Sequence, residues 1–572
     1  MLVQYSKKAV WCWTFIAWVL SASVWAQSPP PPSAGALLNQ MEQARPTVVP
    51  KTIPPAAGGA PSSASKPQDS TGVEVTLKDV QFEGNQLLSS QRLREAVAHS
   101  LGRPLKFSEL QDIAVEVAQT YREAGWVVRA YLPQQDLSAG VLLVKVVEAR
   151  FGGVRFSGQE HASVPLQVLS DRASSAQAVD QPIRLPSIER SGLLMEDLPG
   201  MGVTTSLVPG PQDNQSSLLV NITSKPRWGG DVGIDNMGSH ATGTRRTVAN
   251  LNFLSPASLG DQLGINFAHT AGSNYLRLGY TLPVGSDGWR LGVNASDMNY
   301  KLVAPEFLSI AGHGQSTTQG LEASYPLLRS RMRNLNLTAS VDRKSFANYA
   351  AGELTSQYST HTFTAGFSGY AVDTWSGTGV SIASVSLTTG KVNLDGSPTQ
   401  AADESTGQTQ GSFNKLKYVL SRQQPLTEKT TLSLTLMGQQ ASKNLDSSEK
   451  FFLGGGAGVR AFPSGEGGGS EGNMLNVEWR WTPRSDFAFA TFVDWGRVRV
   501  NKHNDYPGAP TLNQFDLKGG GLSLTLTGSG GWMGKVVWAR RIGANPNATS
   551  SGLDQDGTFI RNRIWLQATM TL

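Results

Sequence analysis

Three sets of residues in this chain have types suited to chemistry, and two of them fail on spacing. Gly467-Gly468-Gly469-Ser470-Glu471-Gly472 fits G-x-G-x-x-G, the turn that lays a pyrophosphate against a helix N-terminus. A strand-like stretch follows it instead of a helix, so no nucleotide site is expected. The seven histidines are scattered without ligand spacing, and neither H-E-x-x-H nor the phosphate loop G-x-x-x-x-G-K-[ST] occurs. The single cysteine, Cys12, lies near the start of the chain. The expectation is a protein that is no enzyme and has no metal or other cofactor. What remains is one charge pair. Arg460 stands in Val459-Arg460-Ala461-Phe462-Pro463, set in a glycine-rich bed, and Asp494 stands in Phe492-Val493-Asp494-Trp495-Gly496.

A guanidinium and a carboxylate can pin one segment to another, and their worth depends on where those segments lie. Strand periodicity puts Phe492 and Asp494 on one face, opposite Val493 and Trp495. The same alternation recurs from Arg227 to the end of the chain. Leu276, Leu278, Tyr280 and Leu282 share a face, Leu432, Leu434 and Leu436 alternate with Ser433 and Thr435, and Ile564, Leu566, Ala568 and Met570 close the sequence. Segments of roughly ten residues, apolar on one side and polar on the other, are the signature of a transmembrane β-barrel. About sixteen such segments can be counted, an even number as bacterial barrels require. The connections alternate between tight turns, as at Thr482-Pro483-Arg484-Ser485, and long stretches around 304–313, 346–357, 391–411 and 441–470. Periplasmic turns and outer loops alternate in this way. A carboxylate in mid-strand does not face lipid, so Asp494 is expected in the lumen. The glycines around Arg460 would let the loop 441–471, between the eleventh and twelfth strands, fold back inside to meet it.

The composition agrees with a barrel in an outer membrane. Charged residues make up 16% of the chain, below the ~25% usual for soluble proteins, and glycine is abundant. Lys7 and Lys8, an apolar run of about a dozen residues and a small-residue stretch ending at Ala26 describe a secretory signal peptide over 1–26. Cleavage there would leave the mature protein without a thiol. The net charge is only +5 and the basic residues are scattered, so no nucleic-acid partner is expected.

Between signal and barrel lie three further parts. Residues 27–46 hold a short amphipathic helix with Leu37, Leu38 and Met41 on one face and Ser33 as its cap. Residues 47–72, rich in Pro, Ala, Ser and Gly, read as a linker. Residues 73–149 and 150–225 then repeat the order β-α-α-β-β. In the first unit, Ser108-Glu109-Leu110-Gln111 reads as a capping box opening the second helix.

Two β-α-α-β-β units ahead of a sixteen-stranded barrel resemble the two-partner secretion transporters, the haemolysin-activator ShlB/FhaC/HecB family. The resemblance spans essentially the whole mature chain. Gly125, Trp126, Leu132, Pro133, Gln134, Asp136 and Gly140 look like that family's signature in its first polypeptide-transport-associated (POTRA) domain. Asp197, Leu198, Pro199 and Gly200 do so in the second. The resemblance implies that the helix at 27–46 plugs the pore and that 47–72 threads through it. It further implies that Val459, Arg460, Ala461 and Phe462 form the tip of an inward loop meeting the lumenal motif Phe492, Asp494 and Gly496. Ala461 departs from the family pattern, standing where glycine is common, and alanine disfavours φ > 0. The implied function is export, without ATP, of one secreted partner carrying an N-terminal secretion domain. The implied setting is a monomer in outer-membrane lipid, with the POTRA domains in the periplasm. A BamA-type insertase shares the architecture, but it usually carries more POTRA units and lacks the N-terminal helix and linker. A diffusion porin needs no periplasmic domains.

Overall fold

The structure is a computed structural model that describes residues 31–43, 74–375 and 377–572. The expected signal peptide (1–26) and linker (47–72) lie outside the described residues, as do 27–30 and 44–46 of the helical segment.

Sixteen antiparallel strands close into one barrel, from Trp228–Asp235 to Asn562–Thr571. The last strand pairs with the first from Gln567↔Asp235 to Thr571↔Asp231, so no sheet edge meets lipid. The alternation read from the sequence sorts the two faces. Leu276, Leu278, Leu291, Val293, Val341, Phe363, Leu522, Ile564 and Leu566 are exposed on the outer wall, where lipid replaces water. Lumenal positions hold polar, small or packed aromatic side chains.

One connection differs from the sequence reading. Residues 346–357 form no long loop; strands Arg333–Ala350 and Glu353–Asp373 run on and turn at Ala351 (φ 51°) and Gly352 (φ 84°). The polar residues in these arms, such as Asn348, Ser356 and Gln357, disguised pairing that continues beyond the apolar band. Two other outer connections, 500–513 and 542–561, are long and had not been anticipated.

The two N-terminal units each form a three-stranded sheet under two helices. In the first, strand Asp79–Glu83 runs parallel to Val141–Glu148, which pairs antiparallel with Val128–Tyr131. Helices α2 (Ser90–Ala96) and α3 (Phe107–Glu123) cover it, with Leu110, Ile113, Val117 and Tyr121 buried. The second repeats this with Arg150–Ser157, Gln215–Ser224 and Met201–Pro209, under α4 (Leu166–Ala176) and α5 (Leu185–Glu196). The capping box of α3 is displaced from its expected place. Its cap is Lys106, whose backbone N–H donates to Glu109 Oε2 at 2.8 Å, and Ser108 is already inside the helix. Glu109 is the N3 residue of a helix that starts before the residue pattern suggested.

Candidate functional site in the barrel lumen

Helix α1 (Ala34–Gln43) lies inside the barrel. Ser33 Oγ accepts from the Ala36 N–H at 3.3 Å, a cap that orders the first turn. Leu37 and Leu38 are buried and Met41 is partly buried, in a cluster with Tyr275, Met298, Tyr300, Phe346 and Tyr358 of the wall. The Ala34 N–H donates to Asn348 Oδ1 at 2.7 Å, near the outer end of its strand. At the other end of the helix, Glu42 pairs with Lys344 at 3.3 Å, four residues further down that strand. The helix therefore descends from the outer rim toward the periplasm, the direction the following chain must take to reach the first POTRA unit.

The loop between the eleventh strand (Thr430–Ala441) and the twelfth (Glu471–Arg484) folds into the other half of the lumen. Arg460 at its tip meets Asp494 on the thirteenth strand (Phe487–Arg499) through Nη2–Oδ1 at 2.8 Å and Nε–Oδ2 at 2.9 Å. Its guanidinium also pairs with Glu478 at 2.9 Å and lies 3.3 Å from the centroid of the Phe492 ring. Asp494 is fully buried and accepts again from Asn476 Nδ2 at 2.8 Å. Burial alone would lower the pKa of Arg460, but the hydrogen bonds to Asp494 and Glu478 outweigh it and the net direction is up. The site is a fixed clasp in which one guanidinium joins two carboxylates.

Packing explains the neighbouring motif positions. Gly496 lies under the loop, and a Cβ there would sit 2.7 Å from Leu453 and 3.2 Å from Val459. Ala461 is buried, and its backbone is not among the positive-φ positions, so the departure from glycine carries no strain. Its methyl fills the space over Gly519, where a Cβ would come within 2.5 Å of it. Phe462 is buried with the Arg541 guanidinium 4.6 Å from its ring. Trp565 Nε1 donates to the Arg460 carbonyl at 2.8 Å.

Four residues of this clasp escaped the sequence reading. Asn476 and Glu478 carry a usable signal, because they alternate with the outward Leu475, Val477 and Trp479 and so must face the lumen. Arg541 and Trp565 carry none, since nothing in their local pattern links them to a loop about a hundred residues earlier.

The structure does not bring the POTRA signatures to the lumen; 125–126 and 197–200 sit at joints, and 132–140 forms a turn inside the first unit. Gly125 (φ 85°) accepts from the Leu185 N–H at 2.8 Å, and Arg184 lies over the Trp126 ring. These contacts couple the first unit to the second. Leu132 and Pro133 lead into a turn in which Asp136 accepts from the Ser138 N–H at 2.9 Å, and Gly140 (φ 72°) accepts from Lys78. Gln135, next to Gln134, ties that turn to the Leu143 backbone. In the second unit Asp197 holds Arg329 of the barrel at 2.7 and 2.8 Å. Pro199 accepts from Ser163, whose own carbonyl accepts from Ser255. Leu198 is buried, and a Cβ on Gly200 (φ 85°) would lie 3.0 Å from the Leu254 carbonyl.

With this geometry in hand, comparison with known proteins decides the family. The profile of the haemolysin secretion/activation protein ShlB/FhaC/HecB family matches residues 214–526, and that of the ShlB-type POTRA domain matches 75–149. The chain belongs to the ShlB/FhaC/HecB family. The heme/hemopexin transporter protein HuxB of Haemophilus influenzae is 25% identical over 547 residues, covering 93% of this chain and 95% of its own. The outer membrane transporter CdiB of Dickeya dadantii is 25% identical over 480 residues, covering 81% and 82%. Among solved structures, CdiB from Escherichia coli superposes with a TM-score of 0.66 at 20% identity, over 93% of this chain and 95% of that one. BamA from Haemophilus ducreyi lacking POTRA domains 1–3 gives 0.52 at 14%, over 87% and 100%. This ShlB/FhaC/HecB-family protein is an outer-membrane transporter of a secreted partner protein, with its POTRA region in the periplasm.

Proposed function

We propose that the partner is one large exoprotein with an N-terminal secretion domain, of the adhesin, haemolysin, contact-dependent toxin or haem-binding kind. The POTRA domains take it up unfolded, and it leaves through the lumen once α1 withdraws. The carrying observation is the contrast between the two lumenal elements. The inward loop is held by a buried apolar cluster of Phe451, Leu453, Val459, Ala461 and Phe462 against Phe492, Leu517 and Trp565, in addition to its charges. Helix α1 is one short element held by a single apolar face and by side-chain and backbone hydrogen bonds to the wall at Asn348 and Lys344 and to the loop at Ser447 and Lys450. A ten-residue helix has little stability of its own in water, so α1 is the element that can leave.

Uptake has a surface to use. Strand Met201–Pro209 is the edge of the second POTRA sheet, and between it and α5 runs a groove of about 320 Å³ lined by Leu185, Ile188, Leu193, Val203 and Thr205. An extended chain can add to such an edge through backbone hydrogen bonds while its side chains enter the groove. This recognises an unfolded polypeptide without nucleotide, and folding of the partner outside supplies the direction of travel. The protein acts as a monomer in outer-membrane lipid.

The test removes residues 27–72 from the full chain and measures single-channel conductance in planar bilayers. Conductance is expected to rise. An unchanged value would remove the plug from this reading. Pull-down of unfolded partner fragment by the full chain, with and without Thr205→Pro on the edge strand, tests uptake; equal capture would remove the groove.

A further inference from the structure

The outer wall of the barrel carries cations that neither the clasp nor the plug uses. Arg343, His361 and Lys391 face one another across the seventh, eighth and ninth strands, Arg343↔His361 and His361↔Lys391, and all three are exposed. Facing positions on adjacent strands bring Cβ atoms within ~4.5–5.5 Å, so two full charges flank one imidazole in a single row. Their side chains point away from the lumen, because Lys344, Thr360 and Val392 occupy the inward positions beside them. A second group, Lys518 and Arg540, recurs on the fourteenth and fifteenth strands, with Lys518 facing Trp495 and Arg540 facing Gly520. None of Arg343, Lys391, Lys518 and Arg540 has an ion-pair partner among the described residues.

Their height on the wall is set by strand geometry. Arg343 stands ten positions above Arg333, where its strand begins (343 − 333), and Arg540 stands eight above Trp532 (540 − 532). At ~3.3 Å per residue and a tilt of ~40°, eight to ten residues climb ~20–25 Å, about the height of the apolar band of an outer-membrane barrel. Directly below the first row lie the exposed Val341 and Phe363, and below the second group lie Leu522, Val536 and Trp538. The cations therefore stand where the acyl chains of the outer leaflet end and its headgroups begin. Among the described residues, Arg343, Lys391 and Arg540 have no carboxylate against them, and Lys518 has near it only Asp516, which Arg497 already holds. Cations so placed favour an anionic headgroup, and arginine's planar fork matches phosphate oxygens.

We propose that these two basic patches bind the phosphate groups of the phosphorylated glycolipid that forms the outer leaflet of Gram-negative outer membranes. The inference does not depend on which partner is exported or on how α1 moves. Such a belt would fix the height of the barrel in the membrane and the level of the outer rim from which α1 hangs.

The experiment uses the full chain in detergent micelles. Binding of bisphosphorylated lipid A, and of the same lipid after enzymatic dephosphorylation, is measured by native mass spectrometry. Wild-type protein is expected to prefer the phosphorylated form by about tenfold or more, and R343E/K391E/K518E/R540E is expected to lose that preference. Equal binding of the two lipids by wild type overturns the proposal. So does a variant that keeps the preference, provided heat-modifiable migration on a gel shows its barrel to be closed. If that variant does not close, the wild-type comparison and the two-residue variant R343E/K391E decide.

Discussion

Asp494 accepts three hydrogen bonds from a single residue: the Arg460 backbone N–H at 3.0 Å, its Nε at 2.9 Å and its Nη2 at 2.8 Å. The carboxylate thus fixes both the backbone at the loop tip and the direction of the side chain. Truncating one partner of a buried pair strands the other, at ~3–5 kcal/mol when burial is complete. Glu478 takes only one bond from Arg460 and keeps Arg480 as a second partner.

The two carboxylates are therefore unequal. Asp494→Ala should reduce export of the partner by about tenfold or more with the barrel still assembled, and Glu478→Ala by no more than a few-fold. A simple exchange, Arg460→Asp with Asp494→Arg, places a new carboxylate beside Glu478, so rescue should need Glu478→Gln as well. Partner protein in the medium, scored against outer-membrane levels of each variant, checks the ranking. Equal losses at 478 and 494 would contradict it.

Glu466, at the root of the same loop, is buried and accepts from Gln555 N at 2.9 Å and Asn547 Nδ2 at 3.0 Å of the last outer loop. Burial, with Asp554 nearby, pushes its carboxyl up to about 7. A carboxyl raised in the folded state favours the native packing fully below its unfolded value of 4.5, and that support is lost as pH rises through about 7. Protease accessibility of loop 542–561 on intact cells should therefore be greater at pH 8.5 than at pH 5.5. Glu466→Gln should flatten the difference.

Lys344 bridges helix α1 to the loop, pairing with Glu42 at 3.3 Å and Glu449 at 3.5 Å. Glu449 also pairs with Lys415, and although burial opposes ionisation, these lysines hold its carboxyl down at about 2. Lys344→Ala removes the ion pair at the lower end of α1 and leaves the hydrogen bonds of Asn39 and Gln43 to the Lys450 carbonyl there and Asn348 at the upper end. More frequent large-conductance openings are expected in planar bilayers, short of the level reached by deleting 27–72. A channel as quiet as wild type would mean that the apolar face of α1 and its hydrogen bonds to the loop suffice to hold it.

The joint between the second POTRA domain and the barrel includes Asp197 with Arg329, Arg190 with Asp287 and the Pro326 carbonyl, and the close approach of Gly200 to Leu254. The Asp197 side chain is 43% exposed, so water screens this pair and Asp197→Ala should cost at most ~1 kcal/mol. Gly200→Ala is expected to be worse, because a positive φ and a carbonyl at 3.0 Å leave the methyl no room. Limited proteolysis of the POTRA–barrel junction in the two variants measures the order.

The strands, their number and the two repeated units were legible in the sequence because each depends on local periodicity: two residues for a strand, three to four for a helix. The same rule placed Asp494 inside the barrel, and it was available for Asn476 and Glu478. The rule failed at 346–357, where polar residues in pairing beyond the membrane look like loop, and at Ser108, where the capping carboxylate outweighed the serine.

What the sequence by itself determined was therefore a membrane barrel with periplasmic units, a lumenal carboxylate and a cationic loop in its vicinity. Only the tertiary structure decided what surrounds the clasp and what the POTRA signatures touch. Arg541 and Trp565 reach the loop tip because the loop folds inward across the thirteenth and fourteenth strands to the fifteenth and sixteenth, with no trace in neighbouring residues. Asp197 meets Arg329 across 132 positions of chain. Periodicity records which face a residue presents, whereas partnership across a closed barrel depends on shear and on loop path. Those are properties of the whole sheet, and no short window of sequence contains them.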